Sequence, residues 1–232
     1  LYSRTKLNNP GDITMVDKLK CLTLFSFLLS FCITVSFAQP PEILLEQTFG
    51  NPNLPEYGYS VQQTSDGGFI LLGKVRHNDS NADIYVIKTT SQGVMEWFRW
   101  YGGEYEEAGN FIQETEDAGY IIVGEREFPG EDGSALYFIK TDPWGNEEWD
   151  QTYGGVRDQT GYCVRQTSDG GYVIAGSTGY DGLILKTNEL GNEEWSQVYN
   201  DAAFVRINEN PGSGYMVAGL YFPALLETDI FI

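Results

Sequence analysis

Hydrophobic residues recur along the chain in short runs, and the runs themselves repeat. The phrase at residues 166–176 (QTSDGGYVIAG) nearly copies residues 63–73 (QTSDGGFILLG), and a third version (ETEDAGYIIVG) occupies residues 114–124. Each phrase joins a polar turn to an apolar run without alternation, which is typical of a strand buried on both faces. A phrase that recurs at a near-constant spacing predicts a repeat architecture.

A tryptophan closes each copy of the repeat, and Trp97, Trp149 and Trp195 are 52 and then 46 residues apart. Within each unit the pattern predicts four short strands, of which the first has one wetter face and the fourth alternates polar residues with Trp and Tyr. The predicted strands are residues 59–64, 69–72, 83–89 and 94–101, then 110–115, 120–123, 135–141 and 146–153, then 162–167, 172–175, 181–187 and 192–199.

Four antiparallel strands in a unit of this length are typical of a propeller blade, and an ordinary β-sandwich would not repeat residue for residue. We therefore predict an all-β fold, a β-propeller of four-stranded antiparallel blades with about 46–52 residues per blade. The predicted full blades are residues 57–101, 105–153 and 158–199, followed by a partial blade at residues 202–232.

The two ends of the repeat region bear on whether the ring closes. Residues 42–49 match a fourth strand and could join the last blade as its outer strand, which would hide exposed edges. The strand count just allows a four-bladed ring. Because the last residues stop within a predicted strand, we expect instead a fragment of a longer propeller.

Residues 15–38 resemble a secretory signal peptide. Lys18 and Lys20 precede the apolar run 21–37, and small residues stand before a cleavage point after Ala38. A membrane anchor is the alternative, but the run is at the short limit for spanning a bilayer. We expect a cleaved signal, and hence a secreted or cell-surface protein with no stable membrane insertion after cleavage.

Cleavage would leave a mature chain that begins at Gln39 and a propeller domain at residues 39–232. Residues 1–14 precede a plausible start methionine and show no periodicity. We expect them to be upstream read-through or a cloning remnant, and they carry no part of the predicted fold.

Charge limits the possible partners. The whole chain has 14 Lys and Arg against 33 Asp and Glu, and the part after residue 38 has 10 against 31. Nucleic acid is not expected as a partner because phosphate binding needs a basic surface. Cations, neutral glycans and basic proteins stay possible. Cys163 is the only cysteine after residue 38, so an intrachain disulfide cannot form there.

The segment between the third and fourth strands resembles known propeller repeats. Residues 139–149 (IKTDPWGNEEW) and 185–195 (LKTNELGNEEW) are similar to the D-x-x-x-G-x-x-x-W phrase of quinoprotein-type propellers, in which the tryptophan docks between neighbouring blades. The whole unit, from QTSDGG to W-x-x-x-YGG, resembles repeats of secreted bacterial proteins that often carry a type IX secretion sorting tail.

That resemblance covers about residues 42–232 and implies a propeller fold and export. Some proteins of the group are labelled endoglucanase, a label that neighbouring domains can explain. The chain has no adjacent cysteines of the quinoprotein enzyme kind. We therefore expect no quinone and no other cofactor.

One side of the predicted blades is better suited to binding than the other. The connection from the second to the third strand spans 10, 11 and 5 residues in the three copies, whereas the other two turns keep their length. This connection and the link between blades emerge on one side, here called the variable face; the constant turns lie on the opposite side, the turn face. The variable face would carry Asp79, Glu104, Glu106, Glu107, Glu125, Glu127, Glu131 and Asp132, with Tyr57, Tyr105, Phe128 and Tyr180.

Carboxylates mixed with aromatic rings suit sugar stacking or a hard cation, although solvated acidic loops would give the same pattern. Residues 79–83 (DSNAD) offer closely spaced oxygen ligands but lack the glycine and the terminal glutamate of a calcium loop. His77, the only histidine, is expected on the surface, and Cys163 is expected to be a packed strand residue. No catalytic, cofactor-binding or metal-binding residue is predicted, and the binding residues stay unknown.

These observations favour a secreted or cell-surface β-propeller that acts as a binding or scaffold module for an unknown protein or glycan. The alternative is a polysaccharide-active hydrolase, endoglucanase-like, or an accessory domain of one. A propeller that serves only as a spacer is a third hypothesis. Without a catalytic motif, the sequence favours a protein that is not an enzyme.

Overall fold

The computed structural model describes residues 48–50, 53–78, 81–128, 133–154, 158–210, 212–222 and 229–231. All of them fall within one compact unit, Ile43–Ile232. No helix long and apolar enough to cross a membrane occurs among them. The predicted signal segment, residues 15–38, and positions 42–47 of the predicted closing strand lie outside the described residues.

The described residues form fifteen β-strands in four antiparallel sheets and contain no helix. Within each sheet the strands pair in chain order. Sheet 1 holds β1 (Glu56–Gln63), β2 (Phe69–Asn78), β3 (Asn81–Thr89) and β4 (Met95–Tyr101), and sheet 2 holds β5 (Glu107–Glu114), β6 (Tyr120–Glu127), β7 (Ser134–Thr141) and β8 (Glu147–Gly154). Sheet 3 holds β9 (Gln159–Gln166), β10 (Tyr172–Thr178), β11 (Asp181–Thr187) and β12 (Glu193–Tyr199), and sheet 4 holds β13 (Ala202–Asn210), β14 (Gly214–Tyr221) and β15 (Asp229–Phe231).

The all-β prediction and the division into four-stranded repeats are confirmed, but the second strands are longer than predicted. β2 continues through the polar residues Lys74 and Arg76 to Asn78, which pairs with Asn81. The buried Val75 lies between them, so the alternation of a half-buried strand continues where we predicted a loop. Much of the variable connection is therefore a hairpin arm rather than a loop.

Burial follows the position of each sheet in the series. Every residue of β10 is buried, as predicted for a second strand, and the first five residues of β6 are buried too. Sheet 1 is more open, because Val61 is 63% exposed whereas its equivalents Ile112 and Val164 are fully buried. Sheets 2 and 3 are thus covered on both sides by the described chain, and sheet 1 is covered on one.

Tryptophans of the fourth strands connect each sheet to the next. Trp97 packs against Tyr120 of the following sheet at 5.7 Å between ring centroids, and Trp149 packs against Tyr172 at 6.0 Å. Trp195 packs against Tyr215 at 5.8 Å. The same aromatic pair therefore recurs at three junctions. Such pairs add about 0.5–1.5 kcal/mol beyond the area they bury.

A lysine is buried next to the constant turn in each of the first three sheets. The Lys140 side chain is 4% exposed, and its ammonium group donates to Asp117 at 2.8 Å, to Glu148 at 3.1 Å and to the Thr141 carbonyl at 2.8 Å. Lys88 and Lys186 make the corresponding three contacts. A buried ammonium needs such partners because desolvation penalises its charge.

Removing a tryptophan that packs between two sheets should destabilise the fold. Trp149→Ala is expected to lower the free energy of unfolding by about 2–4 kcal/mol, because it deletes a ring packed between Phe138 and Tyr172. Trp144, a 66% exposed tryptophan in the adjoining turn, supplies the control, and Trp144→Ala should change the stability by less than about 0.5 kcal/mol. Urea unfolding measures both, and equal effects would contradict the junction role.

The lysine contacts predict a loss of stability in acid. Hydrogen bonds from Thr167 and Lys186 lower the pKa of Asp169 to about 2. The charged form is thus favoured in the folded state, so its contribution is present above about pH 4 and is lost as the pH falls towards 2. Asp169→Asn should make the free energy of unfolding fall less steeply over this pH range. Urea titration at each pH measures the free energy of unfolding. Glu189→Gln, at an exposed acid of a later turn, should leave the slope unchanged.

Candidate functional site

Hydrogen bonds place the hairpin ends and the links between sheets on the same side at each junction, as the definition of the variable face requires. Between sheets 1 and 2, the Asn81 amide donates to the Gly103 carbonyl at 2.6 Å. Between sheets 3 and 4, the Asp201 backbone N–H donates to Asp181 Oδ1 at 3.0 Å. The variable face is thus present at both of these junctions.

The turn face is occupied by contacts between sheets. Glu114 of sheet 2 accepts hydrogen bonds from the backbone and hydroxyl of Ser65 in sheet 1, at 2.7 and 2.9 Å. Glu209 of sheet 4 holds Ser168 of sheet 3 in the same way, at 2.7 and 3.0 Å. These contacts account for the constancy of the turns, because the turns carry the packing of neighbouring sheets.

Two of the predicted variable-face acids are committed to ion pairs. Glu106 accepts from Lys74 at 2.5 Å and from Arg76 at 3.0 Å, and the Lys74 hydrogen bond lowers its pKa. Glu107 lies in β5 and is 0% exposed, so the expectation of a solvated loop acid is wrong for this residue. Its Oε1 accepts from Arg126 Nε at 2.9 Å.

The charge of Glu107 is balanced only in part. Burial raises the pKa of Glu107, and the neighbouring Asp83 raises it further, against the opposing effect of Arg126. The Arg126 guanidinium lies 3.6 Å from the Tyr137 ring centroid and contacts Asp150 at 3.4 Å. Arg126 is the main group that stabilises this buried carboxylate, and a hydrogen bond from the Gly103 backbone adds to it.

His77, which the sequence predicts to be a surface residue, is partly exposed and lies near the end of β2. Its side chain is 27% exposed, and Nε2 lies 2.9 Å from Asp83 Oδ2. Its ring packs edge-on against Trp100, with centroids 5.4 Å apart. β2 extends to Asn78, and His77 stands at an irregularity between the paired residues Arg76 and Asn78. The expectation for Cys163 is confirmed, since it is a fully buried strand residue.

An open cleft of about 430 Å³ lies on the variable face where sheets 2 and 3 meet. Glu125 accepts from the Thr160 hydroxyl at 2.6 Å, and Asp158 accepts from the Ser134 backbone N–H at 3.1 Å. Phe128 lines the cleft and packs against Tyr105 at 5.4 Å between centroids. Its lining residues are Glu125, Glu127, Phe128, Gly133, Ser134, Asp158 and Thr160. The cleft thus combines carboxylates and hydroxyls with an aromatic surface.

The cleft unites some of the predicted residues and leaves others apart. Glu125, Glu127, Phe128 and the adjoining Tyr105 come together there. Tyr180 is instead 91% exposed in a tight turn. Residues 79, 131 and 132 lie outside the described residues. Asp158, Ser134 and Thr160 were missed by the sequence reasoning, although each lies at a strand start or beside one, next to the variable connections.

Replacing Arg126 should show how much the buried Glu107 carboxylate destabilises the fold when it lacks its arginine partner. Arg126→Met is expected to lower the free energy of unfolding by about 3 kcal/mol at pH 7.5, because it leaves a buried carboxylate without its partner. Since the folded pKa of Glu107 is raised, stability is lost as the pH rises, so the deficit should shrink at pH 5. Adding Glu107→Gln should restore most of it. Urea unfolding at both pH values measures the effect, and a pH-independent deficit would contradict this account.

Comparison with known proteins gives no functional assignment, because no protein-family model and no curated protein sequence matches the chain. Among the described residues, no group of three or more His, Cys, Asp or Glu side chains could hold a metal ion. The function must therefore be inferred from the variable face and its cleft.

Proposed function

We propose that the chain is a secreted or cell-surface β-propeller that binds a neutral carbohydrate on its variable face. The observation that carries this proposal is the cleft between sheets 2 and 3, where Glu125, Thr160 and Phe128 present oxygens and a ring together. Sugar recognition uses this combination, because rings cover the apolar face of a sugar while carboxylates and hydroxyls bond its hydroxyl groups.

The propeller arrangement is supported by the repetition of one junction. Three successive pairs of sheets share the tryptophan–tyrosine contact, and sheets 1 and 2 pack through a common apolar cluster. The other side of sheet 1 carries an apolar hollow of about 220 Å³ that includes Phe49, Leu71 and Tyr85. A further blade of the same kind would fit this side, as a ring requires.

The export proposal depends on the sequence alone. Residues 15–38 have the features of a cleaved signal, and the repeat resembles those of secreted proteins of the type IX route. The net charge of −19 agrees with a neutral ligand, because an acidic surface repels anionic glycans and nucleic acid. A cationic protein segment is the other ligand that this charge would suit.

Hydrolysis is a second candidate because Glu125, Glu127 and Asp158 line one cleft. A glycosidase needs two carboxyl groups about 5–10 Å apart, one of them kept protonated as the acid. Glu125 already accepts a hydrogen bond from the Thr160 hydroxyl, so this carboxylate has a partner within the fold. We therefore place binding ahead of catalysis.

A glycan array tests the binding proposal. We expect the intact protein to retain a neutral glycan, and Phe128→Ala to weaken binding about tenfold or more because it removes the stacking ring. Trp144→Ala is the matched control, since it removes an exposed aromatic residue from the turn face and should leave affinity unchanged. Retention of no glycan, or equal losses in both variants, would exclude the proposed site.

The same preparation separates binding from hydrolysis. Release of reducing sugar from neutral polysaccharides, lost in Glu125→Gln, would establish the hydrolase. Glycan binding without release of reducing sugar would support the binding module. If pull-downs from the secreted fraction recovered only a basic protein, the ligand class would be a protein instead.

A further inference from the structure

Unpartnered buried oxygens are concentrated at one place, the variable-face side of the junction between sheets 1 and 2. Among the described residues, four buried side-chain oxygen or nitrogen atoms have no hydrogen-bond partner, and three of them are Asn81 Oδ1, Asp83 Oδ1 and Glu107 Oε2. Buried polar atoms are almost always partnered, because each unpartnered one bears its full desolvation cost. All three are oxygens, which can accept a hydrogen bond or bind a cation.

The two carboxylate oxygens converge beside Gly102, the residue after β4. A Cβ atom at Gly102 would stand 2.4 Å from Asp83 Oδ1 and 2.7 Å from Glu107 Oε2. The Asn81 amide is tied to the same turn through its bond to the Gly103 carbonyl. Asp83 from β3 and Glu107 from β5 therefore each direct a carboxylate oxygen towards one turn, where the Gly103 backbone also hydrogen-bonds to Glu107.

The opposite oxygen of each carboxylate is already held. Asp83 Oδ2 contacts His77, and Glu107 Oε1 accepts from Arg126. These contacts fix the orientation of both carboxylates and leave one oxygen of each directed at the turn. Outer contacts of this kind orient the ligands of metal sites.

The other junctions show that packing does not require this acid pair. By strand register, Ala135 in sheet 2 and Asp181 in sheet 3 correspond to Asp83. The inward position of Glu107 is taken by Gln159 in sheet 3 and by Ala202 in sheet 4. Only the first of these three junctions combines both acids, although all three bring their sheets into contact.

We propose that Asp83, Glu107 and Asn81 bind one hard divalent cation, preferentially Ca²⁺, which joins sheet 1 to sheet 2. All three ligand atoms are oxygens, and Ca²⁺ accepts carboxylate, amide and water oxygens in irregular arrangements, whereas Mg²⁺ requires a near-ideal octahedron. The closely spaced oxygens of residues 79–83 lacked a glutamate in sequence, and Glu107 from the next sheet supplies it. With two carboxylates and one amide, we expect a dissociation constant of about 0.1–1 mM, as in extracellular calcium modules.

The test is thermal unfolding of the intact, chelator-treated protein in CaCl₂, MgCl₂ or NaCl at matched ionic strength. Calcium at about ten times the dissociation constant should raise the melting temperature by roughly 3–6 °C in a saturable way. Magnesium should give a smaller rise, and sodium should give none. Isothermal titration should find one calcium per chain.

Variants taken from the other junctions make the test specific. Glu107→Gln copies Gln159 and Asp83→Ala copies Ala135, so each introduces a residue that the fold accepts at an equivalent position. Both should abolish the calcium-dependent rise, and Glu104→Gln, at an exposed acid of the same connection, should keep it. The proposal would be overturned if the unmodified protein showed no calcium-specific rise in melting temperature, or if both variants showed the same rise as the unmodified protein. The two acids would then be satisfied by a shared proton or a water molecule.

Discussion

The fold depends on the close approach of a turn to the strand beside it. A Cβ atom at Gly119 would stand 2.2 Å from the Thr141 carbonyl and 2.6 Å from the ammonium nitrogen of Lys140, so only glycine fits there. The Asp117 side chain of the same turn neutralises that ammonium group. One contact therefore links the aspartate and glycine of the turn to a lysine about twenty residues later in the chain, and the first three sheets all use it.

That constraint also decides which side of the sheets is open to ligands. The constant turns bind their own lysine within the sheet and a glutamate or glutamine from the next sheet, as Ser65 does with Glu114 and Glu116 does with Gln166. A ligand there would have to compete with the packing of the fold. On the described part of the opposite side, the hydrogen bonds between sheets are made by different groups at each junction, so its residues can differ from one repeat to the next without loss of the sheets.

Most of the fold could be predicted from the sequence because each repeat contains a recognisable polar turn followed by an apolar run. Predicted strands such as 181–187 coincide with the observed ones, and the first strands begin three residues earlier than predicted, at Glu56 in sheet 1. The misses share a cause. The extension of β2 around His77 depends on its pairing with β3, and the burial of Glu107 depends on the neighbouring sheet. A local sequence pattern shows neither the paired strand nor the neighbouring sheet. The sequence predicted the variable face but not the cleft within it, because Asp158 and Ser134 come together only where sheets 2 and 3 pack.

The internal repeats serve as a comparison of junctions within a single chain. Gly102 follows β4 and Gly154 is the last residue of β8, at equivalent positions, and each lies against a side chain of the next sheet, Glu107 in one case and Gln159 in the other. The two side chains have nearly the same shape and differ in charge, so shape alone does not explain the choice of Glu107. A buried carboxylate costs more than an amide in the same position. Arg126 pairs with Glu107 in the strand register and supplies one compensating charge, whereas Thr178 faces Gln159 at the equivalent position. The second acid, Asp83, adds a negative charge beside this pair, and the proposed cation would offset it.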